Sequence, residues 1–253
     1  MQRVSHARTD IGRKRKQNED AYLADDEIGL YVVADGMGGH AAGEVASSEA
    51  IDSIHGMIRR GRQVIERYAQ EPSEETAARL RRLIESAVQA ATYMVYGLAE
   101  LDPNQAGMGT TITLLLLVGE HALVGQVGDS RIYVIREGIA RQITEDHTLI
   151  AWQVRQGLIT EEQAKTSPHR NVITRAVGNR DYVEVDTFVM PVTAGDTFVL
   201  CSDGLHTYVD AVELPETCKR GLPEATRALV ELANSRGGRD NITVIAVRAG
   251  PTA

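Results

Sequence analysis

Acidic residues of this chain lie at the points where apolar segments begin or end. They are Asp20, Asp35, Asp129, Asp203 and Asp240. Asp35, Asp129 and Asp203 each follow an apolar segment with strand character, and Asp240 precedes one. In an antiparallel sheet the end of one strand neighbours the start of the next, so these carboxylates are expected at one edge. A cluster of this kind repels itself and raises its own pKa values unless cations neutralise it.

Hard divalent cations are the partners that this residue set indicates. Mg²⁺ and Mn²⁺ prefer oxygen ligands, and Mg²⁺ keeps several waters while taking one or two carboxylates. Two ions about 3.5 to 4 Å apart lower the pKa of a shared water and stabilise both oxygens of a displacement at phosphorus. Phosphoryl chemistry also needs a cation for the phosphate, and Arg15 is the best candidate because its fork can bind two oxygens. Arg131 and Arg175 are weaker candidates and are expected to be structural or peripheral.

Composition indicates a globular protein that does not bind nucleic acid. The 253 residues are 43% hydrophobic, which is ample for a core, and the net charge of -8 argues against a nucleic-acid-binding surface. Cys201 and Cys218 lie far apart with no zinc-site spacing, so a reducing cytoplasm is expected. The N-terminus lacks a signal-peptide stretch, and the longest apolar run, Ile112–Val118, is too short to span a membrane. Without heptads, a monomer is expected.

Short strands and paired helices are expected to position the acidic residues. The pattern predicts extended structure within residues 4–35, then helices at 42–60 and 73–101, four strands between 110 and 143, and a polar insert at 146–178. It then predicts strands at 183–190, 196–201 and 242–247, and helices at 209–219 and 223–235. Hairpins interleaved with helix pairs favour an α+β fold with two packed sheets covered by helices, in a single domain spanning residues 1–253.

A dinucleotide-binding fold is the main alternative on local sequence. Residues 36–41 follow a strand, open a helix and satisfy the G-x-G-x-x-A pattern. A parallel strand should then return within ~30 residues, yet a second long helix is predicted there. Asp35 would also repel a pyrophosphate unless a cation intervened. This alternative is therefore disfavoured.

Short motifs follow one another along nearly the whole chain. In order, they are Thr9-Asp10-Ile11-Gly12 with Arg15, Asn18-Glu19-Asp20, Asp35-Gly36-Met37-Gly38-Gly39-His40 with Gly43-Glu44, Gly107-Met108-Gly109-Thr110-Thr111, Gly128-Asp129-Ser130-Arg131, Thr144-Glu145-Asp146-His147, Ser202-Asp203-Gly204 and Asp240-Asn241-Ile242-Thr243. The ordered set resembles the metal-dependent protein phosphatases, the type 2C serine/threonine phosphatases, in their bacterial form. The resemblance implies a four-layer α-β-β-α sandwich with two antiparallel sheets. It also implies hydrolysis of phosphoserine and phosphothreonine that depends on Mn²⁺ or Mg²⁺.

The resemblance implies a set of metal ligands. Asp35 would bridge two core ions, and the carbonyl oxygen of Gly36 would bind the second. Asp203 and Asp240 would complete the coordination of the first. Asp129, together with Asp203, resembles the site of a third ion in bacterial members.

The resemblance also implies catalytic roles outside the ligand set. Glu19 and Asp20 would hold metal-bound waters, Arg15 would bind the substrate phosphate, and a metal-bridging hydroxide would attack without a phosphoenzyme. The proton donor departs from the family pattern, because animal relatives carry a histidine where this chain has Met37. A thioether cannot protonate the leaving alcohol. His40 is one alternative acid, a metal-bound water is another, and His40 could equally be a helix-start residue.

Residues 146–178 match the flap of the family, which is expected to influence substrate choice; they can equally be read as a surface loop. The implied partners are phosphoproteins, namely a bacterial Ser/Thr kinase and its substrates. Two related functions stay open. One is a non-catalytic relative, against which the complete carboxylate set argues, and the other is a phosphatase specific for a phosphoserine regulator in partner-switching signalling.

Overall fold

The computed structural model describes residues 2–38, 42–169 and 171–250. The β-strands in these residues are β1 (Arg3–Asp10), β2 (Asp20–Asp25), β3 (Leu30–Met37), β4 (Gly109–Thr110), β5 (Ile112–Val118), β6 (His121–Val127), β7 (Arg131–Arg136), β8 (Ile139–Gln142), β9 (Asp186–Pro191), β10 (Thr197–Cys201) and β11 (Ile242–Ala249). The α-helices are α1 (Ala42–Arg60), α2 (Arg62–Gln70), α3 (Glu74–Leu101), α4 (Leu149–Arg155), α5 (Glu161–Lys165), α6 (Asp203–His206), α7 (Leu214–Cys218) and α8 (Leu222–Ser235).

The strands form two antiparallel sheets. One has the order β1-β11-β10-β7-β8, and the other has the order β2-β3-β5-β6-β9 with β4 paired to β3. Helices α1 to α3 pack on the second sheet, and α6 to α8 pack on the first. This is the predicted α-β-β-α sandwich. The dinucleotide-binding alternative is wrong, because β4 and β5, the strands that follow the helices, both pair antiparallel with β3.

Alternate residues of the central strands enter different hydrophobic layers, since successive side chains of a strand point to opposite faces. In β3, Leu30 and Val32 pack with the helices, whereas Tyr31 and Val33 pack with the facing sheet. All four side chains are fully buried. Burial on both faces explains why these strands are continuous apolar runs rather than alternating ones.

The sandwich brings acidic residues together at one end of its strands. Asp20 begins β2 and lies opposite Asp35 in the β2–β3 register. Asp129 follows β6, Asp203 follows β10, and Asp240 precedes β11. The aspartates converge as predicted, but at one end of both sheets and not at the edge of a single sheet.

Several helical segments differ from the sequence prediction. Helix α2 was not predicted, although Val64, Ile65 and Tyr68 have helical spacing and pack against the core; the rest of this short segment is mostly charged or amide residues. The helix predicted at 209–219 is a 3₁₀ turn followed by the short α7, since Pro215 is tolerated only in a first helical turn. The start of α3 is as predicted, with the Ser73 hydroxyl accepting from the Thr76 N–H. No helix within residues 2–38, 42–169 and 171–250 combines the length and hydropathy needed to cross a membrane.

The insert at 146–178 is partly helical, as predicted, and contains α4 and α5. Thr148 forms a bridge with Ile173, so the two ends of the insert lie side by side. Val177 forms a second bridge with Thr110 of β4. The insert is thereby attached to the end of the sandwich that carries the aspartates. The strand predicted to begin at residue 183 begins only at Asp186, because the Val183 N–H donates to the side chain of Gln89.

Candidate metal centre

Asp35 is held through its backbone by two threonines. The Thr111 hydroxyl accepts from the Asp35 N–H at 2.9 Å, and the Thr110 hydroxyl donates to the Asp35 carbonyl oxygen at 3.0 Å. Thr111 also contacts the Ser130 hydroxyl at 3.0 Å, next to Asp129. These contacts fix the strand end through its backbone, and the Asp35 carboxyl group shares a hydrogen bond with the Asp203 side chain.

Burial and like charge raise the pKa values of the clustered aspartates. The pKa of Asp35 lies well above its usual range because of burial, followed by the charges of Asp20 and Asp203. Burial raises the pKa of Asp20 to about 7, and burial with the charge of Asp203 raises the pKa of Asp129 to about 7. Burial with the charge of Asp240 raises the pKa of Asp203 to about 6. The cluster is therefore poorly neutralised by the protein itself.

Two carboxylate oxygens of the cluster are buried without a hydrogen-bond partner among the described residues: Asp20 Oδ1 and Asp203 Oδ1. The second oxygen of Asp20 accepts from the Ser202 hydroxyl at 2.8 Å. Burying an unpaired carboxylate oxygen is costly, and a coordinated cation removes that cost. Both oxygens are therefore candidate sites of cation contact.

The donor set fits Mg²⁺ or Mn²⁺. Within the described part of the chain, no three His, Cys, Asp or Glu side chains have the spacing of a ready-made metal site. Ions that keep several waters and take only one or two carboxylates do not require such a closed set. Carboxylates at several strand ends therefore suit these hydrated ions better than they suit zinc.

Gly36 allows the end of β3 to approach the start of α1. Its N–H donates to the Glu19 carbonyl oxygen at 3.1 Å. A Cβ atom at this position would overlap the backbone oxygens of Gly43 and Glu19. The close approach of backbone is what requires glycine here.

Arg15 reaches the carboxylate cluster, as a phosphate-binding residue must. Its Nη2 donates to Asp240 Oδ2 at 2.7 Å, and its Nη1 lies 3.7 Å from Glu19 Oε2. The hydrogen bond to Asp240 raises the pKa of Arg15, so the guanidinium stays charged. Its side chain is 46% exposed and can meet a ligand from solvent.

Asn241 fixes the loop that carries Arg15. Its Oδ1 accepts from the Glu19 N–H at 2.9 Å, and its Nδ2 donates to the carbonyl oxygens of Ile11 and Gln17 at 3.0 and 2.9 Å. Sequence reasoning included Asn241 only as part of a motif. Its neighbour Asp240 was the available signal.

His206 positions Asp129, and sequence reasoning missed it. Its Nε2 is 2.9 Å from the Asp129 carbonyl oxygen. Burial lowers the pKa of His206 to about 4, so the neutral ring donates its Nε2 proton to this carbonyl. Both residues line a cavity of about 360 Å³ with Asp203 and Asp146. The only sequence signal was its place three residues after Asp203.

His147 connects the insert to the loop before Asp129. Its Nδ1 accepts from the Gly128 N–H at 3.1 Å, so Nε2 carries the proton and donates to Asp186 Oδ2 at 2.9 Å. Its own backbone N–H donates to the Gly128 carbonyl oxygen at 2.8 Å, and its carbonyl oxygen accepts from the Thr174 N–H at 2.8 Å. In this one tautomer, the imidazole therefore connects the loop before Asp129 with Asp186 at the start of β9.

The other predicted cations are structural. Arg131 Nη2 donates to Asp146 at 2.6 Å, and Arg175 Nη1 donates to Asp186 at 2.6 Å. Both guanidinium groups are therefore already paired. His40, the candidate general acid, lies outside the described residues.

Comparisons with known proteins agree with this geometry. Residues 10–241 match the family described as protein phosphatase 2C. The chain is 40% identical over 245 residues to the serine/threonine phosphatase stp of Listeria monocytogenes serovar 1/2a, covering 95% of this chain and 93% of that protein. It is 37% identical over 245 residues to the serine/threonine protein phosphatase PstP of Mycobacterium tuberculosis H37Rv, covering 94% of this chain and 43% of that protein. A crystal structure of the PstP catalytic domain in complex with 2 manganese ions superposes with a TM-score of 0.83 at 34% identity, covering 98% of this chain and 99% of that one.

The raised aspartate pKa values predict how the metal-free protein responds to pH. A carboxyl group with a raised folded-state pKa stabilises the fold fully below its unfolded pKa, and this stability is lost as pH rises through about 6 to 7. Asp35→Asn mimics the protonated acid. We expect it to raise the Tm in EDTA at pH 8, by about 2–4 °C per kcal/mol gained, and to raise the Tm by a smaller amount at pH 5, which is closer to the unfolded-state pKa of an aspartate.

Thermal unfolding at both pH values measures this difference. Asp52→Asn, at an exposed position of α1, is the matched control and should melt like the wild type. A lower Tm for Asp35→Asn than for wild type at pH 8 in EDTA would contradict the prediction.

The two hydrogen bonds of the His147 ring can be separated by two substitutions. Asparagine at this position would place its side-chain oxygen where Nδ1 lies, whereas glutamine would place its amide nitrogen where Nε2 lies. We expect His147→Gln to weaken Mn²⁺ binding to the protein by about 10-fold, because the Gly128 N–H, next to Asp129, loses its partner. We expect His147→Asn to preserve Mn²⁺ affinity, because its side-chain oxygen still accepts from the Gly128 N–H. This variant loses the hydrogen bond to Asp186 that helps to hold residue 147 in place, so hydrogen exchange should become faster at the Thr174 amide, which donates to the carbonyl oxygen of residue 147. Calorimetric Mn²⁺ titration and hydrogen exchange measure the two effects, and identical behaviour of the variants would contradict this division.

Proposed function

The chain belongs to the protein phosphatase 2C family, and from that membership we propose how its own residues carry out the reaction. It is a metal-dependent serine/threonine phosphatase that uses Mn²⁺ or Mg²⁺ and acts on phosphoproteins. The assignment of individual residues rests on the contacts and charges described above.

The metal-holding residues of this proposal are those at the strand ends. Asp35, the carbonyl oxygen of Gly36, Asp203 and Asp240 hold the two core ions, and Asp129 with Asp203 holds a third. When bound, the ions activate water and stabilise the oxygens around phosphorus. The observation that carries the proposal is the position of Asp35, partly buried among other aspartates, where loss of solvent and then their charges raise its pKa. Such a cluster destabilises the protein unless cations occupy it.

Arg15 binds the substrate phosphate in this proposal. Its guanidinium is held 2.7 Å from Asp240 and is half exposed, so it can move from a carboxylate to an incoming phosphate. A planar fork binds two phosphate oxygens at once, which orients the phosphorus. Glu19 and Asp20 orient waters beside the bound phosphate.

The leaving alkoxide needs a proton, and two side chains near the cluster, Met37 and His206, are excluded as its donor. Met37 has no proton to give, and neutral His206 already directs its Nε2 proton to the Asp129 carbonyl oxygen. Water and His40 are therefore the donors that the proposal retains.

At the level of the whole chain, the proposal is a single catalytic domain spanning residues 1–253, with residues 146–178 as a flap. Strands β1 and β11, from opposite ends of the chain, pair from Arg3 with Ala249 onward, which supports one folding unit.

The protein acts as a cytoplasmic monomer that removes phosphate from a bacterial Ser/Thr kinase and its substrates. Buried free thiols at Cys201 and Cys218 suit a reducing compartment, and the net charge of -8 opposes self-association.

Turnover of p-nitrophenyl phosphate and of a phosphothreonine peptide tests the proposed residue roles. We expect activity with Mn²⁺, none in EDTA, and a kcat at least about 100-fold lower for Asp35→Asn, because even outer-shell substitutions at metal sites cost up to about that factor. Asp52→Asn serves as the control and should match wild type. Full activity in EDTA, or an unaffected Asp35→Asn variant, would exclude the metal-dependent mechanism.

A further inference from the structure

A groove of about 440 Å³ lies between the end of β3 and the segment after the insert. Its walls include Met37, Ile173, Arg175, Arg180, Tyr182 and Glu184. Met37 is two residues beyond Asp35 in β3. At about 3.3 Å per extended residue, the groove begins roughly 7 Å from the metal centre. It therefore continues the site already described.

The far wall of the groove is anchored on both sides of Arg180. Val177 exchanges two backbone hydrogen bonds with Thr110, each 2.9 Å long. Beyond Arg180, the Gln89 side chain donates to the Asp181 carbonyl oxygen at 2.8 Å and accepts from the Val183 N–H at 3.3 Å. The wall is thus tied to β4 and to α3, so Arg180 projects from a fixed backbone.

Arg180 is the unpaired cation among the described residues that line the groove. Arg175 is already paired, at 3.1 Å with Glu184 and at 2.6 Å with Asp186. Arg180 is exposed and has no hydrogen bond or ion pair among the residues described in the structure. On a chain of net charge -8, an unpaired guanidinium beside the phosphate site is a local attraction for anions.

We propose that this groove selects phosphoprotein segments that carry an acidic side chain near the phosphorylated residue, with Arg180 binding that carboxylate. The inference rests on the proposed phosphatase function and adds the substrate class. An extended substrate advances about 3.3 Å per residue, so side chains roughly two to four residues from the phosphorylated one reach the groove. The exposed face of Tyr182, 68% accessible, and the side chain of Met37 provide apolar contact for the intervening peptide.

A charge swap tests this inference. Four phosphothreonine peptides carry Glu or Lys three residues before or after the phosphothreonine and are otherwise identical. For wild type with Mn²⁺, we expect kcat/KM to favour Glu over Lys by about 3- to 10-fold on one side, mainly through KM, with the preference shrinking as salt increases. Arg180→Glu should invert the ratio in favour of Lys on that same side. Because the ratio is taken within one enzyme, any general loss of activity cancels.

The matched control is Arg82→Glu, an exposed arginine on α3 away from the groove. It should keep the wild-type ratio, which separates the groove from a change in net charge. If all peptides are turned over and the Glu-to-Lys ratio of kcat/KM is the same in wild type and Arg180→Glu, the proposed role of the groove is wrong. The phosphatase function would still stand. Absence of turnover of the peptides and of p-nitrophenyl phosphate by wild type would instead overturn the proposed function, and the groove with it.

Discussion

Mutual repulsion among buried aspartates is the constraint around which this end of the molecule is organised. Asp20 and Asp129 are buried, Asp35 and Asp203 are partly buried beside them, and loss of solvent with like charge raises each of their pKa values. An uncompensated set of this kind lowers the stability of the fold near neutral pH. Divalent cations neutralise the carboxylates when they bind, and the relief of this repulsion increases the affinity of the site for them. The proposed metal binding therefore accounts for the cluster better than any contribution to folding does.

Many of the surrounding hydrogen bonds hold backbone, and one carboxylate oxygen each of Asp20 and Asp203 stays without a hydrogen-bond partner among the described residues. Thr110 and Thr111 bind the backbone of Asp35, His206 binds the backbone of Asp129, and Asn241 binds the backbone of Glu19. Carboxylate oxygens of Asp20 and Asp203, by contrast, are buried without partners among the described residues. Strand ends fixed in this way preorganise a site without consuming its ligands. The two sheets and their three hydrophobic layers provide the rigidity on which that arrangement depends.

The sequence was sufficient for the features that depend on local pattern. Apolar runs ending at Asp35, Asp129 and Asp203 predicted the convergence, and Ser73 followed by Thr76 predicted the start of α3. Features that depend on distant pairs were not predictable. The partners of His206 and Asn241 lie 77 and at least 222 residues away in sequence, and a single sequence carries no sign of such contacts. Arg180 had no motif around it, and only the folded wall shows that it borders the site.

Proton release on metal binding tests the central claim most directly. Calorimetric titration of the metal-free protein with Mn²⁺ at pH 6, in buffers of different ionisation enthalpy, counts the protons released. Since the pKa values of Asp20 and Asp129 are about 7 and that of Asp35 lies well above its usual range, several of these groups hold protons at pH 6 and must lose them to bind cations. We predict release of about one to three protons at pH 6 and markedly fewer at pH 8.5. Mn²⁺ binding without proton release at pH 6 would contradict the claim that cations bind where protons otherwise relieve the repulsion among these aspartates.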